Sequence, residues 1–328
     1  MLRLEANAVT FPLARTFSIA RSSRDEQAVI QVEVSTDPHR GRGEGVPTRH
    51  YGESIESSLA QIDSVRDALV DVSNPRVALQ ELLPPGAARN AIDCALWDLE
   101  AKQRGLRAWE LQGLAEPEPV LTVDTVVLSD LNSMAQAAAR SFGEHPLLKV
   151  KLGRDEPFER MRAIRSAVPR ARLVIDANEA WTFDQLAALA PRLADLEVEW
   201  LEQPLPAGED HVLLDYACPI PLVADESLHT RKELPHCEGR YDAVNLKLDK
   251  TGGLTEALAT MQEATRLGFD LMVGCMVCSS LSIAPAMMLT HRAELVDLDG
   301  PTWLQDDPKP NIRFERSKAH APSRELWG

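Results

Sequence analysis

Two lysines lie in the otherwise apolar segment HPLLKVKLGRD, residues 145–155. Successive side chains of a β-strand point to opposite faces, so Lys149 and Lys151 share one face and the leucines and valine share the other. A buried lysine whose amine loses its proton can act as a general base, so this face could move protons at a substrate. In isolation, the segment also fits an edge strand whose lysines are in water.

Acidic residues and a further lysine recur at regular intervals after Lys151. Asp176, Glu202, Asp225 and Lys247 follow one another at spacings of 25, 26, 23 and 22 residues. Each spacing is about one strand–helix unit, so each side chain would lie at a corresponding height on the next strand of a parallel sheet. Three convergent carboxylates need a cation, and an oxygen-only ligand set favours Mg²⁺ over zinc. Each acid alone could be a helix cap, but three in register are not explained in that way.

An eight-stranded barrel would position these residues. From residue 120 the chain repeats a β-rich run, polar residues and a helical stretch, as in βα units. The predicted strands cover 120–127, 147–152, 172–177, 198–203, 221–226, 243–248, 271–276 and 294–299. Right-handed crossovers between eight parallel strands predict an α/β fold with a TIM-like (β/α)7β barrel. The lysines and acids would then meet at the carboxyl ends of the strands, where barrels carry their chemistry.

Residues 1–118 do not follow this period. A strand-like run at 27–35 and helical stretches at 56–70 and 88–102 predict an N-terminal α+β capping domain. The barrel domain would cover 119–304, and the tail, 305–328, is expected to pack back onto the capping domain. The GRGEG segment at 41–45 does not match a dinucleotide-binding fingerprint, and we interpret it as a glycine-bearing loop.

Composition limits the classes of partner. The 328 residues carry a net charge of −15, which disfavours nucleic acid and anionic membrane surfaces. No apolar run approaches the roughly 18 residues of a membrane span, and the N-terminus lacks the apolar core of a signal peptide. Five cysteines, an odd number, favour free thiols and a cytoplasmic location. The CMVC at 275–278 has no second pair at zinc-site spacing. A homo-oligomer is compatible with the sequence.

The lysines would flank a bound substrate. The second and sixth strands of an eight-stranded ring face each other, so Lys151 and Lys247 would lie on opposite sides of the lumen. A carboxylate substrate held by Mg²⁺ has an acidified α-proton, because the cation stabilises the enediolate that forms on deprotonation. A lysine base must be neutral near pH 7, about three units below its usual pKa of about 10.4. For Lys151, burial, the cation and the like charge of Lys149 would all act in that direction.

The motifs K-x-K, D-x-N, E-Q-P, D-E-S and N-x-K at these strand ends resemble the enolase superfamily, in its muconate-lactonizing subgroup. The resemblance spans nearly the whole chain and includes ARNAIDCALWDL, which is similar to the connection between cap and barrel in that subgroup. It implies that Asp176, Glu202 and Asp225 are Mg²⁺ ligands. It also implies that Lys151 and Lys247 are acid/base catalysts.

A pair of aspartates narrows the resemblance. VDLDGP, with Asp297 and Asp299 on one face of the last strand, resembles the D-x-D of dipeptide epimerases, where the pair holds the α-ammonium of the N-terminal residue. An N-acylated substrate has no such cation, so it would leave two buried carboxylates unpaired. Alternatively, the two acids cap a loop before Gly300 and Pro301.

Further substrate contacts also follow from the resemblance. Arg24, in a capping loop, resembles the arginine that binds the glutamate side chain in epimerases of L-Ala-D/L-Glu, and Arg21 competes for this role. Lys149 is expected to hold the substrate carboxylate or, alternatively, to extend its ammonium into water at the barrel mouth. The remaining residues assigned to the substrate pocket are Thr125, Cys275 and Met276.

The expected function is therefore Mg²⁺-dependent epimerisation of L-Ala-D/L-Glu dipeptides at the C-terminal residue, in recycling of cell-wall peptides. The small-molecule dipeptide is the expected partner. Muconate cycloisomerase, o-succinylbenzoate synthase and N-acylamino acid racemase activities share the same motifs and stay open as alternatives. A non-enzymatic alternative is an inactive metal-binding scaffold on the same barrel.

Overall fold

The computed structural model describes residues 2–70 and 72–328. It contains an N-terminal antiparallel sheet with its helices, an eight-stranded parallel sheet, and a small sheet formed by the tail. The predicted α/β barrel with a separate N-terminal α+β unit is confirmed. No helix in the described ranges has the length and apolar character needed to cross a membrane.

The N-terminal unit packs helices on one face of a three-stranded sheet in the order β1-β2-β3. Its strands are β1 (Arg3–Ile19), β2 (Ser22–Thr36) and β3 (His39–Gly45). Its helices are α1 (Ile55–Val70), α2 (Pro75–Leu82), α3 (Ala87–Arg104) and α4 (Ala108–Leu111). A buried apolar core that includes Ile30, Ile62 and Ile92 joins the sheet to α1 and α3.

The interpretation of GRGEG as a loop is wrong, because these residues form most of β3. Gly41, Gly43 and Gly45 alternate along the strand and face α3. A Cβ atom on Gly43 would overlap the carbonyl oxygen of Ala91. Because these residues have no side chains, the backbone of α3 packs directly on the strand. Glycine is common both at such close contacts and in loops, so the sequence alone does not distinguish the two.

The barrel strands pair in sequence order, from first to last. They are β5 (Asp124–Val126), β6 (Leu147–Lys151), β7 (Arg172–Asp176), β8 (Val198–Glu202), β9 (Leu222–Ala224), β10 (Ala243–Leu246), β11 (Asp270–Gly274) and β12 (Leu295–Asp297). The Val123 amide donates to the Val296 carbonyl at 3.0 Å, which joins the first strand to the last. The first predicted strand is split, because β4 (Val120–Leu121) pairs with the tail instead.

Helices and short turns connect these strands. The α-helices are α5 (Leu131–Phe142), α6 (Pro157–Ala167), α7 (Phe183–Ala194), α8 (Leu234–Cys237), α9 (Leu248–Thr251), α10 (Leu254–Leu267) and α11 (Ser280–Ala286). The 3-10 helices are Arg49–Tyr51, Asp210–Asp215, Arg231–Glu233, Met287–Arg292 and Gly300–Trp303. Side-chain caps fix several starts: Asp130 accepts from the Ser133 amide, and Thr182 forms a capping box with Gln185.

The tail contacts both units. Its hairpin, β13 (Phe314–Glu315) and β14 (Lys318–Ala319), pairs with β4. Further on, the Trp327 indole donates to the Cys94 carbonyl at 3.0 Å, and the Gly328 amide donates to Asp98 at 2.7 Å. These bonds tie the chain end to α3. The domain limits at 118 and 304 stay a prediction.

The close packing of the β3 glycines against α3 predicts how substitutions there change the free energy of unfolding. Gly43→Ala should lower the free energy of unfolding by about 3 kcal/mol, because the new methyl group must displace the α3 backbone. Gly143→Ala is the matched control: Gly143 has φ −59°, and a methyl group there would have no neighbouring atom within 4 Å, so its effect should stay within about 0.5 kcal/mol. Urea denaturation followed by circular dichroism measures both. Equal stability of the two variants would contradict this account of β3.

Candidate active site

The charged layer of the barrel lies above an apolar floor. Inward-facing residues near the amino ends of the strands form one buried cluster: Val123, Leu147, Val174, Val223, Ala243, Met272 and Leu295. Two residues beyond the floor residue, the same face carries a polar group in six of the seven cases: Thr125, Lys149, Asp176, Asp225, Asn245 and Asp297. The period of two therefore places the polar groups in one layer at the carboxyl end, above a floor that closes the barrel from below.

Three carboxylates converge in this layer. Asp176 pairs with Lys151 on one side and Glu202 on the other in the strand register, and Asp225 directly follows the next strand, β9. Their carboxylate oxygens lie within 4.8 Å of one another, and all three residues are buried. Glu202 Oε2 has the Lys149 ammonium at 2.5 Å and no further hydrogen-bond donor among the described residues. The oxygen-only set fits a hard divalent cation such as Mg²⁺.

The two predicted catalytic lysines border the carboxylates. Nζ of Lys151 lies 2.6 Å from Asp176 Oδ2, and Nζ of Lys247 lies 2.6 Å from Asp225 Oδ2. Both lysines are buried. Burial would lower the pKa of Lys247, but the carboxylates of Asp225 and Glu202 outweigh it and raise that pKa above its ordinary value.

Lys149 is fully buried, so the alternative in which its ammonium extends into water at the barrel mouth is wrong. Its ammonium lies 2.5 Å from Glu202, 2.6 Å from Asp297 and 3.2 Å from Asp176. Burial would lower the pKa of Lys149, but these carboxylates outweigh it, Asp297 most, and raise the pKa well above its ordinary value. Its expected contact with a substrate carboxylate stays a prediction.

The three carboxylates differ in how far the neighbouring lysines offset the increase in pKa that burial causes. Burial alone would raise all three pKa values, yet Lys151 and Lys149 lower the pKa of Asp176. Lys247 and Lys250 likewise lower the pKa of Asp225. At Glu202, burial and the charge of Asp176 prevail and raise the pKa to about 7.

Asp297 and Asp299 are both buried and both paired within the protein. Asp297 contacts Lys149, whereas Asp299 Oδ2 accepts from the Thr125 amide at 2.9 Å and from the Trp303 indole at 3.4 Å. Burial, together with the charges of Asp297 and Asp124, raises the pKa of Asp299 to about 7. Thr125 thus contributes its backbone to the aspartate pair, and its side-chain contact with a substrate stays a prediction.

The capping domain presents two arginines with different surroundings. Arg21, in the β1–β2 turn, binds Glu226 at 2.6 Å and Glu179 at 3.2 Å. Arg24 lies in β2 rather than in a loop, because it pairs with Phe17 across the hairpin, and its guanidinium lies 5.4 Å from that ring. Burial lowers the pKa of Arg24, and its Nε has no hydrogen-bond partner among residues 2–70 and 72–328.

A cavity of about 600 Å³ opens at the barrel mouth beside Arg21. Its lining includes His50, Arg154 and Glu179. His50, Glu179 and Glu226 are close enough to hold a metal ion, but the Arg21 guanidinium is already bound to both glutamates. The group is therefore an ion-pair cluster between cap and barrel.

Cys275 and Met276 lie directly after β11 and are partly exposed at this end of the barrel. Gly274 precedes them, and a Cβ there would lie 2.6 Å from Asn245 Oδ1 and 3.1 Å from Lys247 Cε, so this glycine leaves room for the lysine. The pocket roles of Cys275 and Met276 stay predictions. All five cysteines are free thiols, as expected.

Several site residues were missed from the sequence. Lys250 is fully buried and binds Asp225 Oδ1 at 2.6 Å and the Asn245 carbonyl at 3.0 Å. Asn245 donates to Glu202 at 2.8 Å, and Gln203 binds the backbone of Asp225. Asn245 and Gln203 occur in the N-x-K and E-Q-P motifs, which was the available signal, whereas nothing in the sequence pattern marks Lys250 as buried.

Comparison with known proteins identifies two family matches. Residues 131–325 match the enolase C-terminal domain-like family, and residues 3–113 match the N-terminal domain of the mandelate racemase / muconate lactonizing enzyme family. An L-Ala-D/L-Glu epimerase from Escherichia coli (strain K12) is 49% identical over 94% of this chain and 97% of the relative. An N-acetyl-D-glutamate racemase from Pseudoalteromonas sp. is 42% identical over 92% of this chain and 95% of the relative.

Two solved structures extend this comparison. An enolase family member from Agrobacterium tumefaciens, with homology to dipeptide epimerases and with bound sodium and L-Ala-L-Glu, has a TM-score of 0.96 and 43% identity over 100% of both chains. A dipeptide epimerase from Methylococcus capsulatus, complexed with Mg and L-Arg-D-Lys, has a TM-score of 0.91 and 31% identity over 99% of both chains. With both domain matches and these relatives, the chain belongs to the mandelate racemase / muconate lactonizing enzyme family of the enolase superfamily and is an isomerase.

Proposed function

We propose that this protein is a Mg²⁺-dependent dipeptide epimerase that inverts the α-carbon of the C-terminal residue in L-Ala-D/L-Glu. One observation carries the proposal: two buried lysines border a three-carboxylate cluster from opposite sides. The dipeptide epimerases among its relatives and structural neighbours support the substrate class. A role in recycling cell-wall peptides and a cytoplasmic location belong to the same proposal.

Asp176, Glu202 and Asp225 would hold Mg²⁺. When bound, the cation would withdraw electrons from the substrate carboxylate and lower the pKa of its α-proton. The buried oxygen ligands of this chain support that assignment, as does the Mg in the Methylococcus capsulatus neighbour.

Lys151 and Lys247 would move the proton. Their strands, β6 and β10, lie four positions apart in the eight-stranded order, so the amines approach the lumen from opposite sides. One neutral amine removes the α-proton from its face of the substrate, and the ammonium on the other face returns one, which inverts the configuration. Because Asp176 and Asp225 hold these ammonium groups, engagement of the carboxylates by a cation favours the neutral amine that a base requires.

The rim residues would orient the dipeptide. Asp297 and Asp299 lie at the end of β12, where their remaining oxygens can accept from the alanyl ammonium. Of the two arginines near the barrel mouth, Arg24 has no hydrogen-bond partner for its buried Nε among the described residues, whereas Arg21 is engaged by two glutamates. Arg24 is therefore the better partner for the carboxylate of the glutamyl side chain.

A second candidate function is racemisation of N-acylated glutamate. The ammonium-free substrate was expected to leave Asp297 and Asp299 unpaired, but Lys149 and the Thr125 amide already satisfy them. The cost of omitting the ammonium is therefore lower than expected from the sequence. The N-acetyl-D-glutamate racemase among the relatives supports this candidate.

Proton NMR in D₂O tests the two-base proposal. Wild-type protein with Mg²⁺ should exchange the glutamyl α-proton of L-Ala-L-Glu and form the other diastereomer, and chelation should abolish both. Lys151→Met and Lys247→Met should each reduce epimerisation by about 10³-fold or more, because each removes one proton donor or acceptor.

The stereochemistry of residual exchange provides the control. One lysine variant should keep α-proton exchange with L-Ala-L-Glu only, and the other with L-Ala-D-Glu only. Equal loss of exchange with both diastereomers in both variants would contradict opposite-face bases. Absence of exchange in the wild-type protein would overturn the epimerase proposal itself.

Arg24 makes a specificity prediction. Arg24→Met should lower kcat/KM for L-Ala-L-Glu by about 10- to 100-fold, because a charge-assisted hydrogen bond contributes about 1.5–3 kcal/mol. The kcat/KM for L-Ala-L-Gln should change much less. Arg40→Met is the control, since Arg40 is an exposed arginine of the same sheet that pairs with Glu33. Equal losses with both substrates would contradict a side-chain contact.

The pH dependence separates the two candidate substrates. Asp299 has a pKa of about 7 and loses its charge as pH falls below it. At saturating Mg²⁺, KM for L-Ala-L-Glu should therefore rise toward tenfold per pH unit below 7, whereas KM for N-propionyl-L-Glu, which lacks only the ammonium, should not. Asp299→Asn should remove the difference. Parallel pH profiles for the two substrates would contradict the assignment of Asp299 to the ammonium.

A further inference from the structure

A buried hydrogen-bond network adjoins the carboxylate cluster through Gln203. This residue directly follows Glu202 and is fully buried. Its Oε1 accepts from the main-chain amides of Asp225 at 2.8 Å and Ser227 at 3.1 Å. One side chain at the end of β8 thus binds the backbone at the end of β9.

The orientation of the Gln203 amide is set by main-chain groups and supported by Asp210. The Leu205 carbonyl accepts from Nε2 at 2.9 Å. The hydroxyls of Ser227 and Tyr241 donate to Asp210 Oδ2 at 2.6 and 2.9 Å. An ionised carboxylate only accepts, so each hydroxyl directs its hydrogen to Asp210 and offers a lone pair to Gln203. Nε2 of Gln203 donates to both hydroxyls at 2.9 Å, which leaves Oε1 to face the main-chain amides.

Asp210 is able to stay ionised although it is fully buried. Burial would raise its pKa, but hydrogen bonds from Ser227, Tyr241 and His236 outweigh burial and lower it. Arg240 also binds Asp210 at 3.0 Å. The positive charge of Arg240 and these hydrogen bonds therefore stabilise the ionised Asp210 at the end of the network.

The backbone of Gln203 shows that these contacts constrain the chain. Gln203 has φ 35°, a left-handed conformation that is unfavourable for a residue other than glycine. The conformation turns the chain immediately after Glu202. The hydrogen bonds of the Gln203 side chain, in which the two hydrogens of Nε2 are shared among three acceptors, offset its cost.

We propose that Gln203 is a positioning residue whose amide, supported by Asp210, fixes the separation of Glu202 and Asp225 and thereby sets the affinity of this cluster for a divalent cation. The inference rests on the proposed cation site. It adds a role for a residue whose side chain bonds to main-chain groups and hydroxyls, and it links the cation site to Asp210.

Manganese binding tests this role without an activity assay. Mn²⁺ is titrated into wild-type protein, Gln203→Leu and Gln103→Leu, and free Mn²⁺ is followed by electron paramagnetic resonance. Gln203→Leu should raise the Kd for Mn²⁺ by about 10- to 100-fold, the usual effect of removing a residue that orients metal ligands. Gln103→Leu is the matched control, since the side chain of exposed Gln103 donates to Thr36 in the capping domain, and it should leave Kd unchanged.

Asp210→Asn is the second variant. Its amide can donate to the hydroxyls, which then need not accept from Gln203, so the side chain of Gln203 is held less firmly and Kd should rise about tenfold. If wild-type protein does not bind Mn²⁺, the proposed cation site is wrong. If wild-type protein binds and both variants bind equally well, or unfold more easily with unchanged Kd, the positioning role is wrong. Failure of both variants to fold would assign the network to stability and overturn the role as well.

Discussion

The structure depends on burying opposite charges together in one layer of a barrel. Lys149 is at the centre of that layer, where its ammonium contacts carboxylates from β7, β8 and β12. Carboxylates this close repel one another strongly in a low-dielectric interior, and an unpaired buried ammonium is also unfavourable. The buried carboxylates and lysines of this layer are therefore stable only when they are present together. The apolar floor beneath it excludes water and fixes the strands that carry the charges.

The capping domain is joined to this layer by buried polar contacts. Asp249, two residues after Lys247, accepts from the Val46 amide at 2.8 Å and from Asn90 at 2.8 Å. Glu44 accepts from the hydroxyl of Ser279 at 2.6 Å. Each bond connects β3, its following residue or α3 to a barrel segment that borders the site. Hydrogen bonds specify orientation better than apolar contacts do. They therefore fix the orientation of the capping domain relative to Lys247.

Much of this arrangement could be predicted from the sequence, because strand periodicity gives the face and height of each side chain. It does not give the lateral partner, so the contact between Lys149 and Asp297, 148 residues apart, was not foreseen. Lys250 was missed because it lies in a short helix after the strand, where the period of two ends. The splitting of the first strand depends on the tail almost 200 residues later, a pairing without a local signal.

Internal pairing at the rim also bears on specificity. Lys149 compensates Asp297 from inside the barrel, and the Thr125 amide and Trp303 hold Asp299 from the side. These contacts are made within the protein and do not require a ligand. A charged group on the ligand therefore adds one favourable interaction to aspartates that are already stable, instead of relieving two bare charges. Discrimination at this rim is then moderate, and substrate preference can change through rim residues while the charged layer stays intact.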